Sequence, residues 1–277
     1  MKLKDNFTLH IESVWSFKLA SQFVSVVKLH CELLPEYMPT RWGWTEPKKN
    51  FDPTHIEQLV FENNRADNVW WKRIERPKAT GSWMVRWGKE PKTYTHASID
   101  LNIIESRLQS KLIAYLQQAS MFTDADFSFL DGMNEFYRPM AMQSHISSFG
   151  GDRLYVTTHT LRHWLPDMPW AVVFGPAYVR LFGKDNLLSC PAYKVEELGP
   201  EMVFIQLTPN IDDIHQQFDV VMKARALAKQ HLGEDCFFKP ELAYDYRLSV
   251  MNPLSEEEIE AKRGKVFRVP TFELKPD

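Results

Sequence analysis

Three runs rich in tryptophan or β-branched residues between positions 68 and 103 constrain the fold of this chain most strongly. They read NVWWKRI, GSWMVRWG and THASIDLNI, and such residues favour strands because they pack well on a pleated surface. In the middle run, Trp83, Val85 and Trp87 fall on one face. Met84 and Arg86 fall on the other, which is the two-residue period of a half-buried strand. We therefore predict strands in this region.

Helical periodicity is present on both sides of these strands. Apolar residues recur at three- and four-residue intervals from 17 to 34, and Pro35 ends the pattern. Asp52 suits an N-cap and Pro53 the first helical position, which predicts a second helix to about Phe61. A third helix follows the SIDLNI run, and a strand at DFSFL comes after it. The apolar stripe of the third helix consists of Leu108, Leu112, Tyr115, Leu116 and Ala119.

The second half of the chain loosely repeats this order. AYKVEEL and MVFIQLT flank a Gly-Pro turn as two strands, and residues 208 to 233 have the pattern of one capped helix. Strand, strand and long helix thus occur twice, which suggests a structural pseudo-repeat although the two segments share little identity. We predict an α+β fold with a mixed, largely antiparallel sheet and packed helices. We predict two α+β lobes, 1–150 and 151–277, with one fused domain as the alternative.

The stretch WAVVFGPAYVRLFGKDNLL has the glycines and the lysine that invite comparison with a phosphate-binding loop. A P-loop needs four residues between its glycines and then Lys-Ser/Thr, whereas seven residues separate Gly175 from Gly183 and Asp follows the Lys. The stretch instead predicts a buried strand, a turn at Gly175, a helix opened by Pro176 and a left-handed cap at Gly183. We interpret it as a structural corner that contains Phe174, Gly175, Pro176, Tyr178 and Gly183.

Charge, hydropathy and cysteine spacing indicate the cellular location of the protein and the kind of partner it can bind. The net charge of −3 provides no general field for nucleic acid, so we expect no nucleic-acid partner. The beginning of the chain has no continuous apolar segment, so we expect a cytoplasmic protein with no membrane association. Cys31, Cys190 and Cys236 lie far apart without a CxxC pair, which favours reduced, buried thiols over a disulfide framework or a zinc site.

Catalytic patterns are weak. His159 and His163 are four residues apart and could present two imidazoles on one helical face, with His145 as a third ligand, but the Glu of HExxH is missing. GxSxG and GxGxxG motifs do not occur in the sequence. We therefore expect no catalytic residue, no metal and no cofactor. An enzyme with a site assembled from distant residues, these three histidines first among them, is the alternative.

Candidate partner-binding residues come from the nine tryptophans and from one acidic run. Complete burial is hard to arrange for tryptophans in the RWGWTEP loop and in the adjacent VWW run, and exposed Trp beside Arg is typical of interface anchors. In SEEEIE, helix capping accounts for Ser255 and Glu258 but leaves the two central glutamates free to meet a basic partner. The candidates are Trp42, Trp44, Trp70, Trp71, Glu256 and Glu257.

The passage FGPAYVRLFGKDNLLSCPAYKVEELGPEMVFIQLT adds a resemblance. Its aromatic-Gly-Pro-x-Tyr-Val turn, Leu-Leu-Ser-x-Pro-Ala segment and Glu-Glu-Leu hairpin resemble cytoplasmic immunity proteins of bacterial polymorphic toxin systems. Such proteins are encoded beside contact-dependent or type VI secretion system (T6SS) toxins, and they protect the producing cell by binding the toxin. The matching positions are those of the structural corner, so they indicate a related fold and give no binding residue.

The resemblance implies a function in interbacterial competition. The chain would neutralise a cognate toxin, a nuclease acting in the cytoplasm, by covering its active or substrate site in a one-to-one complex. We expect an interface of roughly 1,200 Å² or more with aromatic anchors at its centre and acidic residues against a basic groove. A non-catalytic adaptor or scaffold is a further alternative.

Overall fold

The computed structural model describes residues 7–13, 20–60, 67–85, 97–103, 106–132, 165 and 167–237. Its strands are β1 Phe7–Ser13, β2 Arg41–Gly43, β3 Lys49–Asn50, β4 Asp67–Arg73, β5 Ala79–Val85, β6 Ala97–Ile103, β7 Phe127–Gly132, β8 Ala171–Phe174, β9 Lys194–Glu197 and β10 Val203–Gln206. Its α-helices are α1 Ala20–Leu33, α2 Gln109–Phe122, α3 Pro176–Phe182, α4 Lys184–Leu188, α5 Asp213–Gln216 and α6 Phe218–Leu232. The fold is α+β, as the sequence predicted.

Within the described residues, one ten-stranded sheet includes strands from both halves of the chain. Its order is β3-β2-β4-β5-β6-β1-β7-β8-β10-β9, and every neighbouring pair is antiparallel. The two halves meet where β7 pairs with β8, with Phe127 opposite Phe174 and Leu130 opposite Ala171. Because these strands are hydrogen-bonded, the sheet continues across the position at which the sequence suggested a division into lobes.

The alternation of side chains divides the core into two layers. Face A of the sheet carries Leu9, Leu101 and Leu130, which lie in register on neighbouring strands, and α1 and α2 contribute to the same hydrophobic cluster. Face B carries Phe127 and Phe174 and shares a second cluster with α3, α4 and α6. Toward β1, face B turns polar, because Thr8, His10 and Glu12 point to this side.

The first and third predicted helices are confirmed. Helix α1 occupies residues 20 to 33 of the predicted 17 to 34, and the apolar stripe of α2 is buried at Leu112, Tyr115, Leu116 and Ala119. The runs NVWWKRI, GSWMVRWG and THASIDLNI overlap β4, β5 and β6, which pair in register with one another. In β5, Trp83 is buried and Met84 is half-buried, as the two-residue period predicted, whereas Arg86 and Trp87 lie outside the described residues.

Two helix predictions were wrong in extent. Within the described residues, the segment after Asp52 contains a 3-10 turn at Ile56–Leu59 in place of the predicted α-helix. The Asp52 carboxylate accepts hydrogen bonds from the backbone N–H and the hydroxyl of Thr54, which forms a local turn that competes with helix formation. The predicted helix of residues 208 to 233 is interrupted at Gln217 (φ −135°, ψ 47°), which separates α5 from α6. Asp213 is buried there, and its carboxylate accepts a hydrogen bond from the side-chain amide of Gln217.

The structural corner connects β8 to α3. Pro176 opens α3, and the backbone N–H of Gly175 donates to Asp126 O over 2.9 Å, so the corner lies directly against the turn before β7. Gly183 ends α3 with φ 82° and ψ 132°. The positive φ agrees with the predicted glycine cap, but the ψ value lies outside the left-handed helical region.

His30 lies at the centre of the face A core. Its ring contacts the rings of Trp71, Trp83 and Tyr115 edge-on, with centroids 5.1, 5.5 and 5.4 Å away. Burial lowers the pKa of His30 from 6.5 to about 4, and the nearby carbonyl oxygen of Tyr37 opposes this only in part. The imidazole is therefore neutral at pH 7.

Acidification is expected to destabilise the protein through His30. Below pH 6.5 the unfolded chain takes up a proton at this residue that the folded state does not bind, so stability falls until the pH reaches the folded pKa of about 4. The loss on going from neutral pH to about pH 5 is about 2 kcal/mol. Urea unfolding at both pH values measures it.

The control is a His30→Leu variant, in which the drop between the two pH values should be about 2 kcal/mol smaller than in the wild type. His55, whose pKa is raised by its hydrogen bond to Asp52, acts in the opposite direction and is present in both proteins. An equal drop in the wild type and the variant would assign the acid sensitivity to other groups.

Candidate partner-binding surface

The hairpin of β2 and β3 forms one edge of the sheet. In its register, Trp42 lies opposite Lys49, and the Trp42 indole donates to Asn50 O over 3.1 Å. The turn between the strands is tight, because a Cβ added at Gly43 would overlap the carbonyl oxygen of Glu46. A glycine is thus required at the point where the chain folds back, and the hairpin holds the aromatic side chains around it in fixed positions.

Trp44 and Lys49 form a cation–π cluster at the rim of face A. The Trp44 ring packs edge-on against Trp42 at 5.7 Å, and the Lys49 ammonium lies 4.8 Å from the Trp42 ring and 4.4 Å from the Trp44 ring. These distances suit a cation–π interaction. Trp44 is 47% exposed, so part of this cluster faces solvent.

Trp70 lies on face B, on the opposite side of the sheet. It is 44% exposed, and its neighbours across the strands are Gly43 on β2 and Ser82 on β5. A glycine and a serine offer little side-chain cover for an indole, which explains the exposure. The next pair along these strands on the same face is Arg41 and Lys72, two positions from Trp70.

The surroundings of both exposed tryptophans are basic. Segments 41–50 and 70–80 contain seven Lys or Arg residues against two Glu residues. Not all of these cations face outward, because the Arg73 guanidinium donates to Met38 O over 3.1 Å. Ile74, which directly follows β4, adds a further exposed apolar side chain. We call Arg41, Trp70, Lys72 and Ile74 the Trp70 surface.

Two of the four predicted tryptophan anchors are not at the surface. Trp42 is 2% exposed and Trp71 is 1% exposed, because they lie opposite each other on face A and pack into its core. Trp44 and Trp70 are exposed but lie on opposite sides of the sheet. The four residues therefore do not form one patch. Glu256, Glu257, His145, His159 and His163 lie outside the described residues.

A buried charge cluster on face B was missed by the sequence analysis. Arg225 of α6 donates to both carboxylate oxygens of Asp131 on β7, over 2.7 and 3.0 Å, and also to Met168 O. Asp167 lies 3.9 Å from Arg225 and 3.0 Å from the Lys229 ammonium. Burial disfavours the charged guanidinium, but the two carboxylates outweigh it and raise the pKa of Arg225. This cluster fastens α6 to the sheet.

A second buried polar pair lies near this cluster on β1. His10 Nε2 is 3.1 Å from a carboxylate oxygen of Glu12, and the His10 ring packs 5.5 Å from that of Phe129. Among the residues that the structure describes, no group of three or more His, Cys, Asp or Glu side chains is arranged to hold a metal ion. Likewise, none of the helices in the described ranges is long and apolar enough to cross a membrane.

Comparisons with known proteins identify a likeness of fold. No family model and no curated protein matches the sequence. Among solved structures, the Pseudomonas aeruginosa T6SS protein PA0821 is similar, with a TM-score of 0.50 and 9% identity over 90% of this chain and 86% of that chain. At this level of identity the likeness shows that the two chains share an overall fold.

Proposed function

We propose that this chain is an immunity protein that binds a cognate antibacterial toxin and covers its active or substrate site. The observation that carries this proposal is the likeness of fold, over 90% of the chain, to a protein named for the T6SS. The resemblance of the 174–208 passage to immunity proteins supports the same function. In this proposal the toxin is a nuclease that acts in the cytoplasm, and this chain contributes binding without catalysis.

The Trp70 surface is the contact that we assign to the toxin. An exposed Trp beside Arg41 combines two of the residue types that dominate binding energy in protein interfaces, and Lys72 adds a second positive charge. Trp70 is carried by a strand paired on both sides, so little conformational entropy is lost when a partner covers it. A rigid aromatic anchor of this kind suits an inhibitor that must bind tightly.

The positive charge of the Trp70 surface indicates which charge the contacting toxin surface should carry. Because cations surround Trp70, the toxin surface that meets it should carry carboxylates. The sequence led to the opposite expectation, acidic residues against a basic groove, and that expectation depended on Glu256 and Glu257. Both contacts can occur in one complex if the toxin presents an acidic region beside its nucleic-acid groove.

The test begins with the toxin encoded beside the gene. Co-purification at physiological salt and rescue of cells that express the toxin would support an immunity function, and failure of both would end it. A Trp70→Ala variant should weaken the complex by about thirtyfold or more, since anchors of this kind contribute about 2 kcal/mol or more. Its melting temperature should stay close to that of the wild type, because Trp70 is half exposed.

The matched control is Tyr193→Ala, which removes another exposed aromatic ring, 59% exposed and located just before β9. This variant should bind as the wild type does. Equal affinities for Trp70→Ala and the wild type would exclude the Trp70 surface without excluding the immunity function. Binding of a single-stranded oligonucleotide that requires Trp70 would instead assign the surface to nucleic acid.

A further inference from the structure

Four buried polar atoms belong to side chains that pack together around the His30 ring in the face A core. They are His30 Nδ1, Trp71 Nε1, Trp83 Nε1 and the Tyr115 hydroxyl oxygen. All four side chains are fully buried, and within the described part of the chain none of these atoms has a hydrogen-bond partner. We call the four residues the buried aromatic cluster. A buried polar atom without a partner is costly, so four in one cluster require a physical explanation.

The cluster is assembled from four different elements. His30 comes from α1, Trp71 from β4, Trp83 from β5 and Tyr115 from α2. The other three rings surround the imidazole at 5.1 to 5.5 Å, and the two indoles are 5.5 Å from each other. A single molecule that makes hydrogen bonds of about 3 Å can bridge atoms up to about 6 Å apart. The rings that carry the four polar atoms thus form one contiguous group around the imidazole.

The chemistry of the four atoms selects the kind of molecule. His30 Nε2 lies 3.4 Å from Tyr37 O, which assigns the ring proton to Nε2 and leaves Nδ1 as an acceptor. The indoles of Trp71 and Trp83 can only donate, and the Tyr115 hydroxyl can donate or accept. Two donors, one acceptor and one group of either kind match a molecule that accepts two hydrogen bonds and donates two.

Other small species fit less well. An anion could accept hydrogen bonds from both indoles, but it would be repelled by the lone pair of His30 Nδ1. A metal cation would find the His30 nitrogen and one phenol oxygen, because indole N–H groups are not ligands. An apolar molecule would leave all four atoms without partners. Water accepts two hydrogen bonds and donates two, and buried waters typically make about three bonds to such groups.

We propose that His30, Trp71, Trp83 and Tyr115 enclose an internal water-binding site that joins α1 and α2 to β4 and β5. The bound water accepts from the two indoles and donates to His30 Nδ1 and to the Tyr115 hydroxyl. Trp70 and Trp71 are adjacent on β4 and point to opposite faces of the sheet. The site therefore lies on the other side of the strand from the exposed Trp70 indole. It helps to fix the strand on which the Trp70 surface is built.

Water-selective NOE spectroscopy of the ¹⁵N-labelled full chain tests the site. With the indole resonances assigned through bonds, Trp71 and Trp83 should show cross-peaks to water that have the sign of contacts within the protein, as a long-lived bound water produces. Trp44 and Trp70 are partly exposed and serve as controls, since surface water exchanges too quickly to give that sign. The absence of these cross-peaks at both Trp71 and Trp83 would overturn the proposal.

A Tyr115→Phe variant separates bound water from exchange at the hydroxyl, which could relay magnetisation from solvent. The cross-peaks persist in this variant if water occupies the site, and their loss would contradict it. A high-resolution crystal structure of the wild type needs no variant. Solvent density within about 3.2 Å of three of the four atoms supports the site. A dry cluster, or direct hydrogen bonds between these atoms and protein groups, overturns it.

Discussion

Replacing Arg225 with Met is expected to lower the free energy of unfolding by about 3–5 kcal/mol. Arg225 and Asp131 are both buried, and the guanidinium donates two parallel hydrogen bonds to the carboxylate. Methionine fills a similar volume but supplies no charge, so Asp131 is left in the core without its counter-ion. Leaving one charge buried and uncompensated costs far more than the pair contributes as a whole. Denaturant unfolding measures the change.

Two controls separate the effect of burying an ion pair from the effect of ion pairing itself. A Lys48→Met variant breaks the exposed pair with Glu46 and should cost less than about 1 kcal/mol. A double Arg225→Met, Asp131→Leu variant removes both buried charges, so it should be more stable than Arg225→Met alone. If Arg225→Met cost no more than Lys48→Met, the buried pair would not be what fastens α6 to the sheet.

The periodicity of single elements was readable from the sequence, because it depends on neighbouring residues. Trp83 and Met84 alternate in burial as a half-buried strand requires, and the stripe of α2 faces the core. The same reasoning could have been taken one step further at Trp70 and Trp71. Adjacent residues in a strand point to opposite faces, so both can be buried only where the sheet is covered on both sides. Which one is buried depends on the partners of β4.

Pairings between distant segments could not be read in this way. Trp42 is buried because β2 places it opposite Trp71, and the three residues of β2 are too few to show a period. The joining of the two halves depends on β7 and β8, whose paired residues Phe127 and Phe174 are far apart in sequence. No local signal in either strand identifies the other.

Arg225 shows the intermediate case. It occupies a position in the buried stripe of α6 with Val221, Ala228 and Leu232. A charged residue in an apolar stripe predicts a buried partner, because an isolated charge would be too costly there. It does not identify that partner, since Asp131 is 94 residues away and belongs to a strand. The same holds for the candidate surface. The sequence shows its aromatic and basic residues, but it does not show which of them share face A or face B.

Gly175→Ala is expected to destabilise the protein by about 3 kcal/mol or more, because two backbones meet at this residue. A Cβ at this position would overlap the carbonyl oxygen of Ala125 and lie 2.8 Å from Asp126 Cα. Neither atom belongs to a flexible side chain, so the turn before β7 and the start of α3 must separate. That movement also strains the hydrogen bond from Gly175 N–H to Asp126 O. Thermal and denaturant unfolding report the loss.

Gly183→Ala is the matched control, since it changes the same residue type at the other end of α3 for a different physical reason. Gly175 has φ −88°, which any residue can adopt, so alanine there meets only the steric overlap. Gly183 has φ 82°, and a Cβ added there would make only an ordinary contact with Asn186 Cβ at 4.0 Å, so alanine meets conformational strain of about 1–2 kcal/mol. The Gly175 variant should therefore be the less stable of the two. The reverse order would mean that the corner can open at little cost and that the φ of Gly183 is the stricter requirement for this fold.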